Sequence, residues 1–548
     1  MSGSLAGVAT KYRNWLLAAM VVFFTAFSIT TLGDLPWLTQ KQSNLSPVPL
    51  QYQHNSRVIS NASTTTPHQP LHLFPVYEPS MEHELVQRQV EGTCRRTNGL
   101  SMIRSNNSCK KKVKSKKVEV NANELKNILE EIQDRIRVTQ YDLRQLKDVD
   151  GSRTWREREA AELSDLIQRR LYAIQHPPNC TTAKTVACRM ERGCGIGCQL
   201  HHVLYCVMAA YGSQRTLVLY PGNWNKYFLP INSSCNSSHL TNISRWPATG
   251  LEGDIRVIEF PLWDKPVPAP DYMPLSLPRD IWRRLVRFHG DPGAWWVGQF
   301  FQYVLRPNQH LQDIIHNLTT TLDFQTPIVG VHIRLTDKKK EAKLHSLEEY
   351  MTQVEEYYKV LDLKEKNATR RIYLASDERK IFSDAKIKYP HYQILYNPES
   401  EKLGELKLRR YSVSSCLTDI FMLSRCSLVV ATLSSNIGRL VYEIMQSLYP
   451  DGSLYFSSLD NDYFVHFQRP KLARARFPHS PRRQGVIKMQ TGDLVKEGYK
   501  YPINFHNGFA EGINLRTKEK GKYPYYKVES VYDIVNTSYS HDDATGKL

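Results

Sequence analysis

Acidic residues are in short supply. The 548-residue chain carries 54 aspartates and glutamates against 72 lysines and arginines, a formal net charge of +18. That imbalance points to an anionic partner: nucleic acid, an anionic membrane or a phosphorylated ligand. Long apolar runs are few. The run Trp15–Ile29, extended by Thr30 to Leu32, is uncharged and nears the ~20 residues a bilayer crossing needs. Lys11 and Arg13 flank it on the N-terminal side and should keep that end cytosolic. We read residues 1–13 as a cytosolic tail and 14–32 as a single-pass signal anchor, with the rest lumenal. A cleaved signal peptide, with Ala26, Ser28 and Gly33 as its small residues, is the alternative. A lumenal chain meets no nucleic acid, which removes that partner. Cysteines are few and clustered. Cys180, Cys188, Cys194, Cys198, Cys206 and Cys235 form an even set in one segment, as disulfides in an oxidising lumen would. Zinc is the rival, because Cys194-x-x-x-Cys198 with His201 and His202 has ligand-like spacing. Asn-x-Ser/Thr sequons, among them Asn44, Asn179, Asn232, Asn317 and Asn536, agree with a lumenal course.

The length argues for two to four domains, and 41% hydrophobic residues leave ample material for their cores. Residues 33–118 are rich in Ser, Thr, Asn, Gln and Pro, with a lysine run at Lys110–Lys117, and read as a flexible stem. Cys94 and Cys109 lie in it, poised to pair with each other or across a dimer. Residues 119–178 are helical in pattern. Leu125, Leu129, Ile132, Ile136, Thr139, Leu143 and Leu146 form a heptad seam. Gly151 and Ser152 interrupt it, and Leu163, Ile167, Leu171 and Ile174 begin a second helix that Pro177-Pro178 stops. These helices either pair two chains or pack on their own domain; we expect a homodimer. From 179 to 482 apolar strands alternate with helical stretches, an α/β architecture with parallel sheets. The strand candidates are Thr216–Tyr220, Ile255–Phe260, Ile328–Val331, Arg371–Ala375 and Ser427–Ala431. After Pro481 come short β segments, Gly485–Ile487, Asp493–Val495, Gly512–Leu515 and Tyr526–Val528, spaced as in a small barrel over 483–535, with a tail at 536–548.

The chain is organised around Gly330–Lys338. Apolar β-branched residues give way abruptly to His332, Arg334, Thr336, Asp337 and Lys338, with Glu341 and His345 close behind. Strand alternation puts His332 and Arg334 on one face and Ile333 and Leu335 on the other. In open α/β sheets ligands bind beyond the carboxyl ends of strands, and a guanidinium fixed there suits a phosphate. Glu341 could serve as a general base. An ordinary strand ending in a solvated charge cluster is the bland alternative.

His332-Ile333-Arg334-Leu335-Thr336-Asp337-Lys338 resembles the His-Val-Arg-Arg-Thr-Asp-Lys motif of the α1,6-fucosyltransferases, which core-fucosylate N-glycans. Gly193–His202, His289–Pro292 with Trp295–Val297, Tyr442–Gln446 and Tyr523–Val528 resemble further blocks of that family, in order from about Glu119 to Ser530. The resemblance implies transfer of L-fucose from GDP-fucose to the 6-hydroxyl of the innermost N-acetylglucosamine, with inversion, in a type II Golgi membrane protein. It implies two Rossmann-like halves in the GT-B arrangement, a coiled-coil stem that dimerises and an SH3-like end. It implies Cys180–Cys235, Cys188–Cys206 and Cys194–Cys198 bridges.

By the same resemblance, Arg334 meets the diphosphate, Glu341 is the base and Lys338 assists proton movement. The donor side takes His332, Gly195, Ile196, Gly197, Asp377, Asp419, Ser434, Ser435, Asn436 and Arg439; the acceptor side takes Arg192, Asp291 and His506. No cofactor or metal is expected, since no Asp-x-Asp follows a strand where metal-dependent GT-A enzymes carry one. The chain departs from the family pattern in places. Leu335 replaces a second arginine, and Asn436 replaces a glutamine. Ala431 and Gly438 stand where two cysteines pair, and one residue is missing between the Asp-Lys pair and Glu341. Phe505-His506 stands where SH3 surfaces usually offer a Trp. Cys416 and Cys426, at either end of one helix, read as buried thiols ~15 Å apart, too far to bridge each other. Two other functions stay open: a lumenal GDP-fucose or glycan-binding protein that has lost catalysis, and a fucosyltransferase for another acceptor hydroxyl.

Overall fold

The protein is seen in a computed structural model, which describes residues 116–190, 193–232, 234–246, 255–262, 266–267, 269–274, 276–336, 338–405, 412–460, 462–465, 472–497 and 508–536. The expected anchor, nearly all of the stem, Cys94, Cys109, Arg192, Asp337, Phe505 and His506 lie outside the described residues. Among the described residues, no helix is long and apolar enough to cross a membrane.

Two helices open the described chain, α1 (Lys116–Val149) and α2 (Ser152–Gln175). They part at Gly151, whose φ of 73° is a left-handed conformation that glycine adopts without strain. Their fates differ. Leu163, Ile167 and Leu171 of α2 are fully buried in the main core, so this helix packs on its own domain. Along α1, Leu125, Ile132 and Leu146 stay exposed while Leu129, Ile136 and Leu143 are half-buried. Arg137 clips α1 to the body, donating from Nε and Nη2 to the two carboxylate oxygens of Glu356 at 2.8 Å each.

The first sheet contains β1 (Thr185–Cys188), β2 (Thr216–Leu219), β3 (Ser244–Arg245) and β4 (Val257–Glu259), in the order β2-β1-β4-β3, all parallel. Between β1 and β2 runs α3 (Ile196–Gly212). Next come β5 (Ser276–Pro278), α4 (Arg279–Phe288), α5 (Pro292–Val304) and α6 (Gln309–Thr321).

The second sheet is built from β6 (Val329–Ile333), β7 (Arg371–Ser376), β8 (Gln393–Leu395), β9 (Leu428–Ala431) and β10 (Phe456–Ser458), also all parallel, in the order β10-β9-β6-β7-β8. Its helices are α7 (Leu347–Leu361), α8 (Arg379–Lys388), α9 (Pro398–Glu405), α10 (Val413–Ser424) and α11 (Asn436–Leu448). Gly330 lies in the middle of β6 because an added Cβ would sit 3.0 Å from both Cys426 Sγ and Leu423 Cδ2. One core runs from α2 and the first sheet through α5 to α11. A second lies on the other face of β6 and β7, formed by Val329, Val331, Ile333, Ile372 and Leu374 with α7.

A third sheet is antiparallel, made of β11 (Leu472–Ala475), β12 (Leu494–Glu497), β13 (Phe509–Asn514), β14 (Lys520–Pro524) and β15 (Val528–Val531), in the order β14-β13-β12-β11-β15. Its first strand precedes Pro481, so the β region starts earlier than the change of composition. Tyr525–Lys527 is a 3-10 turn rather than strand, and Val486 makes only an isolated bridge to Lys522. The chain then returns: β16 (Asp533–Val535) pairs in parallel with β5.

Disulfides join Cys180 to Cys235, Cys188 to Cys206 and Cys194 to Cys198. The zinc alternative fails on this pairing, and His201 and His202 turn to different neighbours. Cys426 is buried, whereas Cys416 is only half-buried, correcting the expectation of two buried thiols.

Helix α7 begins with a capping box, Ser346 receiving the amide of Glu349 and Glu349 that of Ser346. A hydrogen bond from His345 lowers the Glu349 carboxyl from 4.5 to about 2. A lowered folded-state value stabilises fully above pH 4.5, and that contribution is lost as pH falls toward about 2. Discounted for solvent exposure, the loss should be about 1 kcal/mol. Urea midpoints of wild type should therefore fall across this window more steeply than those of Glu349→Gln; parallel curves would refute the assignment.

Candidate active site

The strand order of the second sheet fixes where a site can form. From β6 the chain steps outward to β7 and β8, then returns to lay β9 on the other side of β6. The loops leaving β6 and β9 therefore part at a topological switch point, where a crevice opens beyond the carboxyl ends of the strands. Both conspicuous polar stretches of the sequence, Arg334–Glu341 and Ser434–Asn436, leave from these two strand ends.

One ammonium ties the two loops together. Lys338 Nζ donates to the Ser434 carbonyl at 2.6 Å and to Glu341 Oε2 at 2.7 Å. The lysine side chain is buried while that of Glu341 is 58% exposed, so the carboxylate is held at its root yet faces solvent. Lys338–Lys340 is a single 3-10 turn and Glu341 follows it.

Asp377, at the end of β7, braces the end of β6. It is fully buried, accepts from the amides of Leu335 at 2.8 Å and Thr336 at 3.3 Å, and accepts from Thr336 Oγ1 at 2.6 Å. Arg334 Nη1 lies 3.1 Å from its Oδ2, and the arginine side chain keeps 30% exposure. Leu335 packs against the cluster of Ile333 and Val331, while His332 is buried. Strand alternation therefore persists to the strand end, and the leucine lies on the apolar side.

The glycine loop follows β1. Gly195 caps α3, and an added Cβ at Gly197 would meet Ile437 Cδ1 at 3.0 Å and Asn436 Cβ at 3.2 Å. Only a residue without a side chain lets the first turns of α3 and α11 approach this closely. His201, one turn into α3, bonds through Nδ1 to the Gly197 carbonyl at 2.6 Å and through Nε2 to Glu443 Oε2 of α11 at 2.9 Å. Tyr463 donates to the other oxygen of Glu443 at 2.8 Å. Ser435 caps α11; Arg439, buried, bonds Asn436 Oδ1 and lies 4.4 Å over the Phe464 ring. Asp419 is buried on α10 and accepts from Tyr373 at 2.8 Å and from Ser400 at 2.5 Å. Asp291 caps α5.

The structure thus brings Arg334 together with Asp377, Lys338 with Glu341 and Ser434, and Gly197 with Asn436. It engages Asp419 in a separate buried network. Sequence reasoning missed His201, Glu443, Tyr463 and Asp460. Asp460, just past β10, accepts from the amides of Leu433 at 2.9 Å and Ser434 at 3.3 Å and so shapes the β9 loop.

The family model described as alpha-(1,6)-fucosyltransferase N- and catalytic domains matches residues 37–464. The chain belongs to this family. It is 40% identical over 402 residues to an alpha-(1,6)-fucosyltransferase of Drosophila melanogaster, covering 72% of this chain and 64% of that relative, just under two thirds of it. It is 31% identical over 399 residues to one of Caenorhabditis elegans, covering 70% of each. A solved structure of fucosyltransferase NodZ from Bradyrhizobium shares 15% identity over 47% of this chain and 92% of its own, with a TM-score of 0.31, too slight a likeness to bear on the fold.

Ala431, at the end of β9, lies against Gly438 on α11. A Cβ on Gly438 would lie 3.6 Å from that of Ala431, within disulfide range, but only 2.2 Å from the Thr432 carbonyl oxygen. Helix α11 lies close against the end of β9, and a side chain at 438 does not fit. Gly438→Ala should cost about 1–3 kcal/mol of stability by overpacking against backbone. A calorimetric Tm equal to wild type would show that α11 can retreat without cost.

Proposed function

We propose that this protein is a glycoprotein 6-α-L-fucosyltransferase. It takes L-fucose from GDP-fucose, attaches it to the 6-hydroxyl of the innermost N-acetylglucosamine of an N-glycan, and inverts the anomeric centre. The observation that carries the reading is the pair of ion pairs at the β6/β9 switch point, Arg334 held by Asp377 and Lys338 by Glu341, with the Glu341 carboxylate open to solvent. Membership of the family supplies the reaction class.

Two tasks must be met. The departing GDP gains negative charge, and the attacking hydroxyl must lose a proton. Arg334 serves the first: its guanidinium is always charged and Asp377 aims it. The N-termini of α3 and α11, with Gly195, Ile196, Gly197, Ser434, Ser435 and Asn436, add backbone donors and positive helix ends. Arg439, Asp419 and His332 complete the donor side. In this reading no metal shares the work. Glu341 serves the second task as base, taking the hydroxyl proton as oxygen attacks the face opposite GDP. Lys338, touching both Glu341 and the β9 loop, couples base and donor site. Arg192, Asp291 and His506 are assigned to the acceptor.

The architecture under this proposal is GT-B, with an SH3-like C-terminal sheet. A single-pass anchor holds the enzyme in the Golgi membrane with its catalytic part lumenal. The apolar stripe of α1 is assigned to a homodimer. Since α2 belongs to the monomer's own core, the informative truncation starts at Asp150 rather than past α2. That fragment should sediment as a monomer at concentrations where the longer chain is dimeric; a dimeric fragment would remove α1 from the interface.

Incubation of the lumenal chain with GDP-fucose and an agalacto N-glycan should yield one added fucose, α1,6-linked by mass and linkage analysis. Arg334→Ala should cut turnover by about one to two powers of ten for each charge-assisted contact of roughly 1.5–3 kcal/mol lost in the transition state. Glu341→Gln should lose turnover and keep GDP binding. Leu335→Arg should leave activity similar or raise it. Product from Leu335→Arg alone, with none from wild type, would make the protein a binding protein that has lost its chemistry.

A further inference from the structure

The C-terminal sheet reaches into the catalytic body at one side chain. Tyr532 lies between β15 and β16, and the β16–β5 pairing fixes the backbone on its C-terminal side. Beyond it, Arg279 Nε donates to Asn536 Oδ1 at 2.7 Å. Its ring packs 5.4 Å from that of Trp282 on α4. Its hydroxyl donates to Asp291 Oδ1 at 3.3 Å, and from the other side Tyr442 of α11 donates to Asp291 Oδ2 at 3.0 Å. The amide of Ala294 also reaches Oδ1, at 3.3 Å.

A capping carboxylate held only by its own helix can still turn about its side-chain torsions. Two phenols on opposite oxygens fix its plane. The backbone beneath is equally constrained: the Asp291 amide donates to His289 Nδ1 at 2.9 Å and the Gly290 amide to Asp451 Oδ2 at 3.1 Å. Burial and the neighbouring Asp291 push the Tyr532 phenol well above its usual value, so it stays a donor.

We propose that Tyr532 is a positioning residue for the acceptor, through which the C-terminal sheet orients the Asp291 carboxylate toward a sugar hydroxyl. This rests on the assignment of Asp291 to the acceptor side. It gives the third sheet a share in acceptor recognition that does not depend on a peptide-binding groove.

Tyr532→Phe keeps the ring against Trp282 and removes only the hydroxyl. In the full chain, with GDP-fucose and an agalacto N-glycan, the acceptor KM should rise about tenfold, the value of one lost hydrogen bond to a charged group. The KM for GDP-fucose, the Kd for GDP and the Tm should stay at wild-type values. Asp291→Asn, which keeps the helix cap, should raise the acceptor KM too, and Tyr532→Phe should add nothing further in that background. If Asp291→Asn raises the acceptor KM and Tyr532→Phe does not, Tyr532 has no such role and the assignment of Asp291 stands. If Asp291→Asn leaves acceptor KM unchanged, that assignment fails and the inference falls with it. If Tyr532→Phe lowers Tm or moves donor and acceptor KM together, the tyrosine is only structural.

Discussion

The contact between His201 and Glu443 is the constraint on which the meeting of α3 and α11 depends. It joins α3 to α11 across 242 positions of sequence. The Gly197 carbonyl can only accept, so His201 Nδ1 carries a proton toward it. One further proton then lies between Nε2 and Glu443 Oε2, whichever atom holds it. Burying such a pair is costly unless every remaining site is satisfied. Here the second carboxylate oxygen has the Tyr463 hydroxyl, and both imidazole nitrogens are engaged. The result sets the first turns of two helices against each other at fixed spacing, with Gly197, which has no side chain, where they meet.

The second sheet solves a complementary problem. A site at a switch point is made by loops with no strand pairing beyond their ends, so something else must hold their shape. Buried acids do it here. Asp377 collects the amides after β6, and Asp460 collects the amides after β9. Lys338 then spans the gap between the loops. The charged side chains of the crevice are thus bound into the scaffold that aims them. Arg334 and Lys338 each have a carboxylate neighbour, which offsets the charge of each.

How much of this was legible depended on range. Strands β6, β7 and β9 showed in the sequence as apolar β-branched runs, and Gly151 as a break between helices. Leu335 was correctly set on the face of Ile333, because alternation is local physics. The heptad from Leu125 and the run from Leu163 looked alike, yet one helix is half-exposed and the other sits in the core; a period near seven suits either environment. Strand β11 is four residues long and stands ahead of Pro481, so no turn signal announced it. Asp377 could be placed at a strand end by sequence, but whether its carboxylate faced ligand or backbone depended on the amides of a neighbouring loop.

The long-range pairs expose a further asymmetry between the sheets. The two parallel sheets are welded by a shared core through α2, α5 and α11, with Gly298 letting α5 lie against the Glu443 carbonyl, which an added Cβ would approach to 2.5 Å. The antiparallel sheet has its own small core around Ile487, Met489, Val495 and Tyr523. It is tied back by the three-residue β16–β5 pairing and by side chains of Tyr532 and Asn536. A unit with its own core and a short seam has less reason to be rigid with the body than one sharing a core. That such a seam carries a hydroxyl bonded to a helix-capping carboxylate means the attachment cannot loosen without being felt at Asp291. A module joined this way is not merely appended to the body: its docking is coupled to the geometry of the Asp291 cap at the start of α5.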